Sequence, residues 1–509
     1  MTQTTRRHFV RHAIAGGAAL ALPQLVLGGE QPSQVGSPSE QVRIGIVGLG
    51  GINVVGGVGG RGRQLIDGLR KVPGARVVAV CDVDRSVLDQ GVKQLKDSGR
   101  SVAAYSDLRK LLEDKTIDAV AVALPNHWHG LATVWACQAG KDVYVEKPFS
   151  YNLWEGRQMV AAARKHGRMV QVGTQSRSSP ALRDAFQYLR SGQLGPIRGA
   201  RAIVYRPREG IGKVGGPTAV PDGVDYDLWC GPAPKGPLMR KQLHYDWHWF
   251  WQTGNGEIGN NGIHVIDICR WALGQDRPAP RAISIGGRFG FDDDGETANT
   301  HIAFFDYRPA PLMCEVRNLH AAKQPGSIGS FRGRSGGVII DCEGGHFAGD
   351  ASGGTLFDRQ GKKIKDIPEQ GRLPGFPDAA HLENFVAAVR SRRSQDLKVE
   401  ALDGHRSAAC FHMANISHRL GKGAAPEAIQ EAIRANHDLS DAFQRCREYL
   451  KANGVDLAKT PAALGPWVTL DSERECFVGE FAEQANALCR REYRGPFVVP
   501  EIAAAAGGS

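Results

Sequence analysis

Ten cysteines occur in 509 residues, and none stands in C-x-x-C spacing. The chain therefore carries no paired-cysteine redox or metal signature. Cys81, Cys137 and Cys269 lie in apolar patterns and read as small core residues. Runs of Lys and Arg interleaved with aromatics are absent, and a net charge of +10 is modest for this length. Nucleic-acid binding is therefore not indicated; a weak attraction for acidic substrates is. Beyond the N-terminus no run is long and apolar enough to span a bilayer. His127, His129, His244 and His248 lack a compact ligand spacing with acids, so no metal is expected. Internal repeats are absent as well.

What is present begins at the N-terminus. Thr5-Arg6-Arg7-His8-Phe9-Val10-Arg11 precedes the apolar run Ala13 to Leu27. A basic flank before a short apolar stretch matches a twin-arginine export signal. The expectation is a periplasmic protein passed through the twin-arginine machinery, with cleavage near Gly28 or Gly29, or membrane-anchored if uncleaved. An oxidising compartment would permit disulfides, but the spacing specifies no pairing.

Residues 30–41 form a polar Gly/Pro/Ser linker. From Val42 strands and helices alternate. Strands are expected at Val42–Val47, Arg76–Cys81, Val102–Tyr105, Ala119–Leu124, Asp142–Val145 and Met169–Val172. Helices are expected near Gln64–Arg70, Leu131–Ala139 and Leu153–Lys165. Such alternation means a parallel, doubly wound sheet over residues 42–175. After about residue 180 strand-like runs dominate: Ala200–Tyr205, Ala282–Phe289, Asn299–Phe305, Leu312–Val316 and Val338–Ile340. Residues 176–425 therefore read as an α+β domain with a mostly antiparallel open sheet, flanked by helices near Ile263–Leu273 and Ala379–Arg390. Residues 426–509 read as a helical tail, Ala428–Ala435, Asp441–Ala452 and Glu473–Tyr493, interrupted between Pro461 and Trp467. The periodicity of Ala442, Cys446 and Leu450 suggests that the tail covers the open sheet or extends a subunit interface.

The first strand runs into Gly48-Leu49-Gly50-Gly51. Glycines let backbone approach a pyrophosphate, and a following helix offers it free N–H groups. The next strand ends in Asp82, placed to accept from a ribose 2′-hydroxyl, which favours NAD; Arg85 leaves NADP open. Gly48 to Asp82 is 34 residues, against roughly 20 in the usual fingerprint. The excess lies in residues 52–60. Gly48 and Gly50 are expected to leave the strand, and Gly60-Arg61-Gly62 to start the helix, with a bulge between. Farther on, Tyr144-Val145-Glu146-Lys147-Pro148 puts a lysine at a strand's C-terminal end, where open α/β sheets bind ligands.

Ile46-Val47-Gly48-Leu49-Gly50, Cys81-Asp82-Val83-Asp84, Pro125-Asn126-His127-Trp128-His129, Glu146-Lys147-Pro148 and the segment Gly259 to Asp267 resemble, in this order, the Gfo/Idh/MocA family. Its members include glucose–fructose oxidoreductase and inositol 2-dehydrogenase. The aromatic block His244 to Trp251 and the tail look like its exported bacterial branch. The resemblance implies a Rossmann domain, an open-faced sheet domain that commonly oligomerises, and a sugar-like substrate between them. It makes Lys147 the lysine beside the nicotinamide, and Pro125, Asn126, His129 and Glu146 cofactor-pocket residues. It makes His264 the catalytic histidine and Pro148 a residue that is often cis. Where many relatives carry an aspartate four residues before that histidine, this chain has Asn260, so a proton relay would run between Lys147 and His264. Asp267, three residues on, is placed to orient the imidazole. Gln175, Trp247, Trp249 and His264 are the candidate substrate contacts, with the tryptophans either a sugar-stacking wall or aromatic core packing between the domains. Arg206 and Arg208 are either substrate contacts or solvated loop charges.

The leading reading is an exported NAD(P)-dependent oxidoreductase acting on a sugar, polyol or cyclitol. Outside the cytoplasm no nicotinamide pool is expected, so the cofactor would be tightly bound and recycled. The same logic supports an alternative, a glycoside hydrolase or lyase that oxidises a sugar transiently. A non-catalytic carbohydrate-binding protein is the third reading.

Overall fold

The computed structural model describes residues 41–51, 59–97, 99, 101–322, 324–368 and 378–503. The export signal and the loop at 52–58 lie outside the described residues.

Six parallel strands form the first sheet: β1 (Val42–Val47), β2 (Ala75–Cys81), β3 (Ala103–Tyr105), β4 (Ala119–Val122), β5 (Asp142–Glu146) and β6 (Val170–Gly173). Their order is β3-β2-β1-β4-β5-β6. The helices α1 (Arg61–Leu69), α2 (Arg85–Asp97), α3 (Leu108–Glu113), α4 (Asn126–Gln138) and α5 (Leu153–Lys165) connect them. The strand β4, Ala-Val-Ala-Val, is buried at every position, as expected where helices cover both faces of a parallel sheet. The helix α4 starts at Asn126, several residues before its expected start, because Pro125 supplies an extended N-cap and the next residues continue helically.

A helix α6 (Pro180–Arg190), capped by Ser179, leads to the second sheet. Its strands are β7 (Ile197–Tyr205), β8 (Arg281–Gly287), β9 (Thr300–Phe305), β10 (Leu312–Arg317), β11 (Gly336–Cys342), β12 (Gly345–Asp350), β13 (Gly353–Asp358) and β14 (Lys363–Pro368), followed from the tail by β15 (Lys422–Ala424), β16 (Ala462–Leu464), β17 (Val468–Asp471) and β18 (Cys476–Val478). All neighbours pair antiparallel except β7 with β10. The remaining helices are α7 (Tyr226–Cys230), α8 (Ile263–Ala272), α9 (Asp378–Ser391), α10 (Ala401–Leu420), α11 (Pro426–Ile433), α12 (His437–Ala452) and α13 (Ala482–Ala487).

Period-two alternation gives this sheet two apolar faces. Ala303 and Phe305 of β9 and Cys314 of β10 join the core containing Ile266 of α8 and Phe411 of α10. Ile302, Phe304 and Met313 face the other way, against Ile429, Leu439, Phe443 and Leu450 of the tail. A buried ion pair reinforces that docking: Arg445 of α12 grips Glu315 of β10 with two bonds of 2.8 Å.

Three expectations are corrected. Residues Glu473–Tyr493 are not one helix; they hold β18 and the six-residue α13, because Asp471 caps a tight turn at Glu473 and Arg474 and the chain folds back on β17. The tail also extends the sheet with β15–β18 instead of being wholly helical. Finally, α9 packs on the parallel sheet, with Leu382, Phe385 and Val386 against Ile44, Ile46 and Leu65; an apolar stripe on a helix does not say which sheet it will cover. All ten cysteines are free thiols.

Candidate active site

A cleft of about 680 Å3 opens along the C-terminal ends of β1, β2, β4 and β5. Its first wall is the glycine turn. Gly48 and Gly50 have φ of 83° and 87°, a region costly to residues with a Cβ. Space is equally restrictive. A Cβ on Gly50 would sit 1.8 Å from the Gly59 carbonyl oxygen, and one on Gly62 1.8 Å from that of Gly48. The turn thus packs directly on the first turn of α1, which begins at Arg61 with Gly60 as N-cap and no side-chain cap bond. Backbone N–H groups at that end are left for an anion.

Asp82 sits at the end of β2 and lines the cleft. Its carboxylate accepts from Leu49 N at 2.8 Å and from Asp84 N at 3.0 Å. Burial raises its pKa, and these two N–H donors oppose the rise. The acid therefore braces the glycine turn as well as facing the cleft. Asp84 in turn meets His244 Nε2 at 2.8 Å. Arg85 does not line the cleft: its side chain is 82% exposed, 3.9 Å from Asp89.

The other end of the cleft is built on β5. Glu146 is a hub. Its Oε1 accepts from Arg61 Nε at 2.7 Å, Gln175 Nε2 at 3.2 Å and Tyr144 Oη at 3.3 Å. The next peptide bond but one, Lys147–Pro148, is cis. Lys147 Nζ donates to the Asn260 carbonyl oxygen and to Asn260 Oδ1, both at 3.0 Å. Asn260 lies in a π-helical turn, Ile258–Gly262, that runs into α8; such turns place side chains off the regular helical register. Burial pushes the Lys147 ammonium down to about 8, with Glu146 opposing and Arg61 assisting. His264 lines the same cleft. Burial, then the charges of Lys147 and Arg61, push its imidazole down to about 3. At neutral pH the histidine is uncharged, and Lys147 is the group that titrates in the useful range.

Lys147, His264, Asn260, Gly48, Gly50, Arg61, Asp82, Pro125, Glu146, Gln175 and Trp247 all line the cleft. Six expected residues do not, among them Gly60 and Gly62, which lie at the start of α1 behind the glycine turn. Asn126 is turned to Asn255, donating to its Oδ1 at 2.9 Å. His129 is buried between two carbonyls, Pro148 O at 2.6 Å and Leu124 O at 2.7 Å; it ties the β4–α4 turn to the Lys147–Pro148 turn. Trp249 is buried beneath Arg208, whose guanidinium lies 5.4 Å from its ring. Asp267 does not orient His264. It accepts from Arg177 Nε and Nη2, both at 2.8 Å, and from Ser407 Oγ at 2.6 Å. Burial alone would raise its pKa, but Arg177 holds it below the usual carboxylate range.

Sequence reasoning missed the anchor of the π turn. Glu257 is fully buried, pairs with Arg208 at 2.9 and 3.1 Å and accepts from Asn261 Nδ2 at 2.5 Å. Its position three residues before Asn260 was the only available signal. Arg208 is thereby a buried ion-pair partner, while Arg206 is exposed and lines the cleft. Trp247 stacks on His248 at 3.6 Å and forms the wall facing Lys147 and His264.

The fold and the site have counterparts among known proteins. Residues 42–174 match the Gfo/Idh/MocA profile described as "Oxidoreductase family, NAD-binding Rossmann fold". Residues 211–305 match its partner, "Oxidoreductase family, C-terminal alpha/beta domain". The scyllo-inositol 2-dehydrogenase (NAD(+)) of Bacillus subtilis is 31% identical over 236 residues, which cover 46% of this chain and 55% of the relative. A glycosyl hydrolase family 109 protein of Saccharopolyspora erythraea is 30% identical over 226 residues, 40% of this chain and 47% of the relative. The chain spans about half the length of the curated relatives it matches. Among solved structures, the WlbA dehydrogenase from Bordetella pertussis in complex with NADH and UDP-GlcNAcA superposes with a TM-score of 0.53 at 19% identity, over 75% of this chain and 96% of that one. That likeness is one of fold. Residues 42–174 thus resemble the NAD-binding Rossmann domain, and residues 211–305 the C-terminal α/β domain, of the Gfo/Idh/MocA oxidoreductases.

Proposed function

We propose that this protein is an NAD-dependent oxidoreductase acting on a secondary alcohol of a sugar, polyol or cyclitol. The observation that carries the reading is Lys147, held by both oxygens of Asn260 at the strand end, with a pKa near 8, beside His264. The glycine turn, the start of α1 and Asp82 fit a dinucleotide, since each close approach leaves no room for a Cβ. Asp82 lines the cleft and Arg85 does not, which favours NAD over NADP. A bound nicotinamide supplies the hydride acceptor. The chain's own residues handle the proton. Two of the three Lys147 ammonium hydrogens are committed to Asn260, leaving one for a substrate oxygen. As the lysine loses its proton near pH 8, its lone pair takes the hydroxyl proton. Neutral His264 serves as a hydrogen-bonding group that orients the substrate hydroxyl toward Lys147. Asn260 positions the lysine, since an amide takes no proton. Trp247 and His248 offer a flat face to a sugar ring.

A second reading is supported by Asn260 and by the resemblance to glycosyl hydrolase family 109 proteins: transient oxidation of a glycoside, loss of its leaving group, and return of the hydride. Both readings are tested together. The purified protein is denatured and the released small molecule identified by ultraviolet absorption and mass. Sugars, polyols and aryl glycosides are then screened for near-ultraviolet change of the bound cofactor and for released aglycone. Net reduction supports the dehydrogenase, and aglycone release without net reduction supports the hydrolase. A protein that neither holds nor binds NAD or NADP would overturn both and leave a carbohydrate-binding module.

Twin-arginine export and a tightly bound, recycled cofactor belong to this proposal. The pattern at Arg6 and Arg7 supports export; cell fractionation of wild type and of a variant with both arginines changed to lysine tests it. A homo-oligomer is also proposed. Because α11 and α12 cover the sheet over β8–β10, its contacts are assigned to the remaining strands, and sedimentation tests the assembly.

A further inference from the structure

A second cavity, of about 250 Å3, lies among the described residues. Four segments form it: Tyr151–Leu153, which leaves the Lys147–Pro148 turn; 251–255; the last turns of α10; and 487–491 of the tail. Three arginines line it, Arg419, Arg490 and Arg491, and no aspartate or glutamate does. Other inward arginines take one of two forms: Arg177, Arg208 and Arg445 have the carboxylates of Asp267, Glu257 and Glu315, and Arg240 has the rings of Trp229 and Phe250; the three cavity arginines are of the second form. Arg419 lies 5.3 Å from the Trp251 ring, Arg490 4.0 Å from Trp154 and Arg491 3.9 Å from Tyr151. Among the described residues none of the three has an ion-pair partner. Two Arg491 nitrogens, Nε and Nη1, are shut from solvent with no acceptor. The carboxyl that Arg491 influences electrostatically, Glu155, is itself buried and engaged by Tyr493 Oη at 2.9 Å.

Stacking on a ring attracts a guanidinium but satisfies none of its in-plane N–H donors. Arg419 and Arg490 reach solvent at the cavity's mouth, while the two enclosed Arg491 donors are left for an acceptor that an anion in the cavity would supply. Planar forks in this number suit carboxylate or phosphate. We infer that this cavity is a second binding site, distinct from the cofactor cleft, for a small molecule bearing a carboxylate or a phosphate. Its volume accommodates roughly eight groups of water size at about 30 Å3 each, a ligand of sugar-acid or sugar-phosphate dimensions. Occupancy is linked to the catalytic turn by named bonds. Asn255, in the cavity wall, donates to the Tyr151 carbonyl at 2.9 Å and accepts from Asn126 at the start of α4. His412, also in the wall, meets Ser150 Oγ at 3.1 Å.

The test uses the full-length protein saturated with NAD, so that the cleft's own anion-binding groups are occupied. Inorganic phosphate and malonate are titrated by calorimetry at constant ionic strength set with chloride. The expected result is saturable binding of at least one probe, weakened about tenfold or more in Arg419→Ala/Arg490→Ala because two charge-assisted forks are lost. Both residues are exposed, so the variant should keep the wild-type melting temperature and NAD affinity. Single Arg→Lys changes should retain part of the affinity. Preference for phosphate or for malonate names the ligand's anionic group. Absence of saturable binding of either probe, or affinity unchanged in the double variant, would overturn the inference.

Discussion

Replacing Lys147 by methionine separates the electrostatic cost of the site from its chemistry. The folded protein holds the Lys147 ammonium at a pKa of about 8, against 10.5 for an unburied lysine. Between these values the folded state binds fewer protons than the unfolded chain, so stability rises with pH there. The lysine's contribution is fully present above about 10.5 and is lost as pH falls through about 8. The difference is roughly 2.5 pH units at about 1.4 kcal/mol each, or about 3 kcal/mol. Methionine removes that cost but leaves two Asn260 oxygens without a donor, which costs about 1–3 kcal/mol. At pH 7 Lys147→Met should therefore be as stable as wild type or slightly more so, while its turnover falls by about a thousandfold or more through loss of the proton acceptor. The assay is urea denaturation of both proteins at intervals from pH 7 to 10.5. Other titrating groups cancel in the difference. Wild-type stability should gain on the variant by about 3 kcal/mol across that range. Parallel curves would refute the assignment of a depressed pKa to Lys147, and with it the lysine's role as the group that exchanges the proton near pH 8.

Further expectations follow from the same geometry. Asp267→Ala should destabilise the protein by about 3–5 kcal/mol in urea melts, because Arg177 stays buried without its partner. His264→Ala should lower turnover with little change in stability, and equal stability losses for the two would contradict the placement of Asp267. Asp82→Ala should weaken NAD binding about tenfold or more in calorimetry, since Leu49 and Asp84 lose their common acceptor and the glycine turn loosens. Arg445→Ala should cost about 1–3 kcal/mol by removing its two bonds to Glu315, which keeps Arg201, Arg317 and Tyr205, with KM and turnover of the remaining folded protein unchanged.

The strands of the parallel sheet were legible because each is a short run set between turn or helical patterns, though the helices α2 and α3 and the strand order were not read. The glycine turn, Asp82, Glu146 and Lys147 were legible because their chemistry depends on positions next to strand ends. The strands β12–β14 were not. They are rich in glycine and carry lysines and aspartates on an exposed edge, so they lack the alternation that marks a half-buried strand. Asn126, His129, Trp249 and Asp267 lie off the cleft for a common reason. Sequence spacing places a residue on an element, while its partner arrives from another part of the chain. Arg177 reaches Asp267 across 90 positions and Pro148 offers its carbonyl to His129.

By itself, then, the sequence determined the alternating domain, the phosphate-binding turn and the lysine at the end of β5, since these follow from local backbone chemistry and short-range periodicity. Tertiary structure alone decided that α9 covers the parallel sheet, that the tail seals the second sheet through Arg445 and Glu315, that Asp267 meets Arg177 rather than His264, and that Asn260 holds Lys147. Those outcomes rest on which buried charges and apolar faces find partners in space, and no spacing along the chain encodes that pairing.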